Sequence, residues 1–224
     1  MQAMTRERIF QLLAPFLGGE ALSEDQLAMI REYLSLLLAW NAKINLTGVR
    51  DPDEIVTRHF GESLFAARHI FTADSADNSL IDVGTGAGFP GLPAKIWTPR
   101  LELTLIESQH KKAVFLKEVV RKLALPGVAV LATRAEMVGI QAEVVTLRAV
   151  ERFETALRAV RPLVRPGGRF GLLIGESQIE DARRWLGQVL WEAPLTIPLS
   201  RNRTLLVVRV QPHSSETELP DTRL

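Results

Sequence analysis

The sequence predicts an α/β protein: a doubly wound, mostly parallel sheet with an N-terminal helical extension and an antiparallel strand pair at its C-terminal end. Three observations carry this. From residue 80 onward short apolar runs alternate with helix-period segments, the pattern of βαβ units. The first run opens into a glycine-rich turn, Ile81-Asp82-Val83-Gly84-Thr85-Gly86-Ala87-Gly88-Phe89-Pro90-Gly91. The last two runs, near Leu195 and over Leu205-Leu206-Val207-Val208, have no helical pattern between them, so they pair antiparallel.

Ahead of the sheet, Ile9, Leu12, Leu13, Phe16 and Leu17 recur at helical spacing, and Gly18-Gly19 ends the run. Ser23 is the expected N-cap of a second helix, with Gln26 three residues on completing a capping box. Its apolar stripe runs Leu27, Ile30, Leu34, Leu37, Leu38 towards Trp40. Residues 41–48 are rich in turn formers, and a third helical region spans about Pro52 to Phe71. The strands then follow: Leu80–Val83, Leu101–Ile106, Val128–Leu131, Val144–Leu147 and Phe170–Ile174. Helices are expected after the glycine turn, with Pro90 or Pro93 near the start, from His110 to Leu123, and from Phe153 to Leu163. Three segments result: a helical extension at 1–77, a core at 78–212, and a polar tail at 213–224.

Composition narrows the chemistry. A chain of 224 residues buries enough apolar surface to fold without staples. With no cysteine it has no disulfide, thiolate nucleophile or Cys-ligated metal. Its four histidines, His59, His69, His110 and His213, show no metal spacing, so no metal is expected. The longest apolar runs, such as Leu34–Leu38, fall far short of the ~20 residues that span a bilayer. Arg6, Glu7 and Arg8 do not open a signal peptide, so the expected location is the cytoplasm, away from any membrane. Charge is uneven: residues 1–77 hold 7 basic and 11 acidic side chains, whereas residues 78–212 hold 19 and 12. A basic core fits a polyanionic partner and equally fits a solvated surface.

The glycine turn has two readings. Gly86, Gly88 and Gly91 satisfy G-x-G-x-x-G, and Glu107 lies 21 residues after Gly86, the dinucleotide spacing of a nicotinamide dehydrogenase. However, Asp82 stands at the end of the first strand, where a carboxylate suits a sulfonium or ammonium and repels a pyrophosphate. Glu107 ends the second strand, where an acid accepts both hydroxyls of a ribose. This pattern matches an S-adenosylmethionine site better, in a Rossmann-like sheet of the class I methyltransferase type.

With these residues in place, the sequence resembles the 16S ribosomal RNA guanine-N7 methyltransferases of the RsmG (GidB) type. The resemblance runs from about Leu27 to Val210. It is strongest over Trp40-Asn41-Ala42-Lys43-Ile44-Asn45-Leu46-Thr47, continuing to Arg58-His59, and over Ile81–Gly91 with its Gly-Phe-Pro-Gly ending. The resemblance implies cofactor contacts from Gly84 and Phe89, an Arg-x-Glu motif at Arg134-Ala135-Glu136 whose last two residues line the adenine pocket, and an Arg148-Ala149 pair beside cofactor and substrate. Glu107 fits the ribose-binding acid, and the partner implied is 16S rRNA, in a loop near the decoding centre of the small subunit. Three positions depart from the family pattern: Glu62 where Asp is usual, Ile174-Gly175 where Lys-Gly is frequent, and Leu147 where a smaller residue is common.

Guanine N7 carries an in-plane lone pair and no proton, so its methylation needs no general base and rests on alignment. Arg148 is then the candidate to position the base, since O6 and N7 are both acceptors on one edge; a strand-end pairing with Glu151 is its structural alternative. His59 either positions RNA or ends a helix. Asn41, Asn45 and Thr47 either cap or shape the entrance. Lys111, Lys112, Lys117, Arg121 and Lys122, with Arg158, Arg161, Arg165 and Arg169, form either a phosphate track or a solvated face. A non-catalytic binding protein on the same fold is the reading from another class.

Overall fold

The computed structural model describes residues 4–72, 78–149, 153–187 and 189–211. Two helices open the chain, α1 (Arg6–Leu17) and α2 (Glu24–Asn41). Gly18 ends α1 in the left-handed conformation. Ser23 and Gln26 form the expected reciprocal cap of α2, and the Gln26 amide also reaches the carbonyls of Ile96 and Trp97. The third helical region is not one uniform helix. A short α3 (Pro52–Ile55) passes through a π-helical stretch, Val56–Gly61, into α4 (Glu62–Ile70). Such wide turns re-aim side chains and are frequent at functional sites.

The core begins with β1 (Ser79–Val83), then α5 (Gly91–Trp97), β2 (Glu102–Ile106), α6 (His110–Lys122), β3 (Val128–Leu131) and β4 (Ala142–Arg148). It continues through α7 (Phe153–Val160), β5 (Val164–Gly175), α8 (Ile179–Leu186), β6 (Val189–Trp191), β7 (Leu195–Thr196) and β8 (Arg203–Val210). The strand order is β3-β2-β1-β4-β5-β8-β6, with β7 on β8. The first five strands are parallel and β8 runs against β5 and β7, so the expected antiparallel pair is present. Helix α8 and strand β6 are additions to the sequence reading.

Two apolar layers flank the sheet. One joins α1, α2 and α4 to α5 and α6, with Ile9, Phe16, Tyr33, Phe60 and Phe115 fully or almost fully buried. The other packs α7 and α8 over Val145, Phe170, Leu172 and Leu206. The N-terminal helices therefore share a core with the sheet. Gly61 shows how closely: a Cβ there would lie 2.6 Å from the buried Phe16 ring. Gly61→Ala therefore forces α1 and the π turn apart, with an expected loss of about 1–3 kcal/mol. Urea unfolding that gives wild-type stability for this variant contradicts the packing.

Candidate active site

The parallel strands end along one edge, and the order reverses between β1 and β4, the place where α/β sheets bind ligands. A cavity of about 380 Å³ opens there, lined by the glycine loop, the ends of β4 and β5, the π turn, Leu46-Thr47, Lys112 and Arg203. Gly84 and Gly86 take left-handed φ values of 64° and 59°, with no protein atom within 3.8 Å of where a Cβ would stand. Their bare backbone faces space, so a ligand can lie directly along it. Gly88 is constrained differently, since a Cβ there would meet the Tyr33 hydroxyl and Leu92 at 2.4 and 2.5 Å. Glycine is needed at 88 for packing beneath the loop.

Asp82 lies under the loop and does not line the cavity. Its fully buried carboxylate accepts from the Thr85 hydroxyl (2.6 Å), the Gly91 amide (2.9 Å) and the Thr146 hydroxyl (2.9 Å), tying β1, the loop and β4 together. Burial pushes its pKa up to about 6 against the pull of these bonds. Glu107, just past β2, accepts from the Gly86 amide at 3.0 Å and the Gln109 amide at 2.7 Å. Each of its oxygens keeps a further lone pair, the acceptor set a ribose diol requires. Ala135 and Glu136 sit in a single 3-10 turn, Ala135–Met137, beyond the adjacent strand β3; Ala135 is buried and Glu136 exposed, and neither lines the cavity.

Phe89 lines the cavity and belongs to an aromatic stack. It lies parallel to Tyr33 at 5.4 Å and stacks with His59 at 5.0 Å, while the Tyr33 hydroxyl donates to the Ala87 carbonyl. The Arg148 guanidinium lies 6.0 Å from the same ring.

Arg148 ends β4, and Ala149 turns the chain away with a φ of 50°; both line the cavity. Arg148 Nη2 donates to Glu62 Oε2 (3.2 Å), to the Arg58 carbonyl and to His59 Nδ1 (3.2 Å). The other Glu62 oxygen takes Arg203, at 2.9 Å from Nε and 2.6 Å from Nη2. Glu62 is 1% exposed, so one buried carboxylate holds two arginines at the cavity wall. Glu151, the alternative partner for Arg148, lies outside the described residues.

His59 is fixed from both sides. Nδ1 accepts from Arg148, so Nε2 carries the proton and donates to the Thr47 hydroxyl at 2.7 Å. Thr47 is itself placed by Asn41, whose side chain accepts from the Leu46 and Thr47 amides and donates to the Thr47 carbonyl. Burial, then the neighbouring Arg148, lowers the His59 pKa to about 3. Asn45 is more peripheral, accepting from Arg50 at 3.1 Å.

The basic group is scattered. Lys112 of α6 lines the cavity. Arg165 and Arg169 stand at the start of β5, the sheet edge opposite the site; Arg165 pairs with Glu143, and Arg169 is almost buried and donates to the Ile70 carbonyl. Arg158 pairs with Glu154 and covers Trp185. A phosphate track along this set is therefore not what the fold assembles. The cavity draws its cations from Arg58, Lys112, Arg148 and Arg203 instead, and Ile174, where lysine is frequent, lines it as a buried apolar wall. Among the described residues no cluster of His, Asp and Glu could hold a metal, and no helix is long and apolar enough to cross a membrane.

Strand order, the reversed last strand and a glycine loop at the switch point define the fold of the class I methyltransferases. Solved structures agree: MtNAS in complex with MTA and tNA has a TM-score of 0.59 at 12% identity, covering 83% of this chain and 74% of that one. The Methanococcus jannaschii fibrillarin pre-rRNA processing protein gives 0.54 at 13%, covering 66% and 74%. In sequence, the family model for rRNA small subunit methyltransferase G, GidB, matches residues 26–190. The ribosomal RNA small subunit methyltransferase G of Roseiflexus castenholzii is 44% identical, covering 85% of this chain and 86% of that protein. Its namesake from Leuconostoc mesenteroides is 34% identical, covering 92% and 90%. The chain belongs to the GidB family, rRNA small subunit methyltransferase G.

The depressed His59 pKa makes a prediction. The unfolded chain takes up a proton near pH 6.5 that the native ring refuses, so this group withdraws stability as pH falls from about 6.5 towards 3. In an NMR titration the His59 ring should show no protonation step above pH 5; a midpoint near 6.5 would contradict its burial beside Arg148.

Proposed function

We propose that this enzyme methylates N7 of a guanine in 16S ribosomal RNA, in the loop beside the decoding centre of the small subunit, and that it works in the cytoplasm. The observation that carries this reading is the pair Arg148 and Arg203, fixed on one buried carboxylate in the wall of the cavity that the bare glycine backbone also lines.

The donor is S-adenosylmethionine, whose sulfonium supplies an already electrophilic methyl group. The residues present fit it. Gly84 and Gly86 offer open backbone along which its amino-acid end lies, and Gly88 and Phe89 complete the loop. Glu107 would receive the ribose hydroxyls; Ala135 and Glu136, which the family resemblance assigns to the adenine, stand beyond β3 outside the cavity lining. Asp82 acts through the loop, fixing its shape and placing a carboxylate below the cationic group. Residues 78–211 thus carry the cofactor site, and residues 4–72 supply Thr47, His59 and Glu62 to the substrate side.

The attacking N7 lone pair needs no proton removed, and His59 is not a poised base: it is neutral, with its Nδ1 lone pair held by Arg148. Among the described residues the contacts that fix Arg148 all run through Nη2. Its Nε and Nη1 hydrogens are donors for guanine O6, which leaves N7 on the same edge directed at the methyl group. When bound, the donor would give its methyl group to N7 and leave as a neutral thioether, the positive charge passing to the purine. Alignment of this kind supplies most of the rate.

The test is transfer of labelled methyl from S-adenosylmethionine to small subunits lacking the modification, followed by strand cleavage at N7-methylguanosine. One cleavage in the decoding-centre loop is expected. Arg148→Lys keeps the ion pair to Glu62 but loses the planar fork, and should fall ~10²-fold in kcat while folding normally. No transfer by the wild type, with the cofactor bound, would make the protein a binder.

A further inference from the structure

Between β7 and β8 the chain makes a tight loop over residues 197–202. It is firmly held. Ile197 is fully buried, its amide donates to the Arg203 carbonyl, and the Ser200 amide returns to the Ile197 carbonyl. The Ser200 hydroxyl accepts from the Arg203 amide at 2.9 Å, and the Asn202 carbonyl accepts from the Glu176 amide in the turn after β5. At the tip of this rigid loop stands Leu199. It is 73% exposed and takes a left-handed φ of 57°. A branched apolar side chain is a poor choice on both counts: the left-handed conformation brings its Cβ too close to the following carbonyl, and glycine or asparagine would adopt it with less strain. Nothing among the described residues compensates Leu199 for either.

The surroundings say what would. Leu199 lines a groove of about 480 Å³ together with Arg201 and Arg203 of its own loop and strand and with Glu54, Thr57 and Arg58 of the helical extension. Arg58 and Arg203 also line the active-site cavity, so groove and cavity share a wall. Arg58 is paired with Glu54 and Arg203 with Glu62, whereas Arg201 has no acidic partner among the described residues. An apolar tip rimmed by guanidinium groups, next to a cavity that must receive a base, is the arrangement by which proteins enter a nucleic-acid stack.

We infer that Leu199 is a positioning residue: a wedge that fills the gap left in the RNA stack when the target guanine enters the cavity, while Arg201 grips a flanking phosphate. This rests on the methyltransferase reading above. A base leaving its stack loses its stacking energy, and an apolar side chain in the vacated place offsets part of that loss. Because the loop is pinned at both ends, the wedge is in place before RNA arrives.

The test compares methyl transfer to unmodified small subunits by wild type, Leu199→Gly, Leu199→Met and Arg201→Ala, alongside melting temperature and S-adenosylhomocysteine affinity. Glycine relieves the left-handed backbone, so Leu199→Gly should melt no lower than wild type and bind S-adenosylhomocysteine equally. Its kcat should nevertheless fall about tenfold or more, with KM changed less than about threefold, and Leu199→Met should restore turnover to within about threefold. Arg201→Ala should raise KM and flatten the salt dependence by about one ion. Wild-type turnover by Leu199→Gly overturns the wedge. So does a rise in KM alone with kcat intact, which marks a docking contact with RNA or ribosomal protein. An inactive wild type sinks the methyltransferase reading itself, a result distinguishable from either.

Discussion

The site depends on one buried carboxylate. Glu62 is 1% exposed and carries two guanidinium groups, Arg148 from the end of β4 and Arg203 from the start of β8. Neither strand adjoins the other, since β5 lies between them, so the helical extension acts as a clasp across the sheet edge. Desolvating such a group is tolerable because both partners are charged; leaving a buried ion without its partner typically costs about 3–5 kcal/mol. The clasp ties substrate-side geometry to the N-terminal helices, and through Phe16 on Gly61 to α1.

Around it, polar contacts are nested so that each positioning residue is itself positioned. Asn41 shapes the loop that presents Thr47, Arg148 fixes the His59 tautomer by donating to Nδ1, and the Thr47 hydroxyl accepts from Nε2. On the cofactor side Asp82 and Glu107 hold the glycine loop from below and from the side. The two halves meet at Phe89, which touches both His59 and Arg148. Buried networks of this type specify a single geometry when every member is satisfied, and a reaction that relies on alignment rather than proton transfer gains most from that.

Much of this was legible in the chain. The alternation of runs after residue 80 gave the parallel sheet, Ser23 and Gln26 their reciprocal cap, and the position of Arg148 its place at a strand end. The glycine spacing located the loop but did not separate its glycines, because open space beside Gly84 and crowding at Gly88 are tertiary facts. The π turn was invisible, since its apolar residues still read as helix. Arg203 carried no local signal, standing just ahead of the apolar run Leu205–Val208 at the start of β8. Glu62 did offer one: an acid two residues ahead of the apolar Leu64-Phe65-Ala66-Ala67 segment. The basic residues stayed open between a phosphate track and a solvated face because charge counts ignore which sheet edge a residue occupies; Arg165 and Arg169 stand at the far one, and Lys111, Lys117, Arg121 and Lys122 are exposed on α6.

The most direct test of the clasp is kcat for methyl transfer by Glu62→Gln, set beside Glu62→Asp, with S-adenosylhomocysteine affinity as the control. If one carboxylate aligns both arginines, the glutamine variant binds the cofactor normally and loses at least about tenfold in kcat, whereas the aspartate variant keeps most of its rate. Wild-type turnover by Glu62→Gln would show that Arg148 and Arg203 are aligned without it, and would contradict this account of the site.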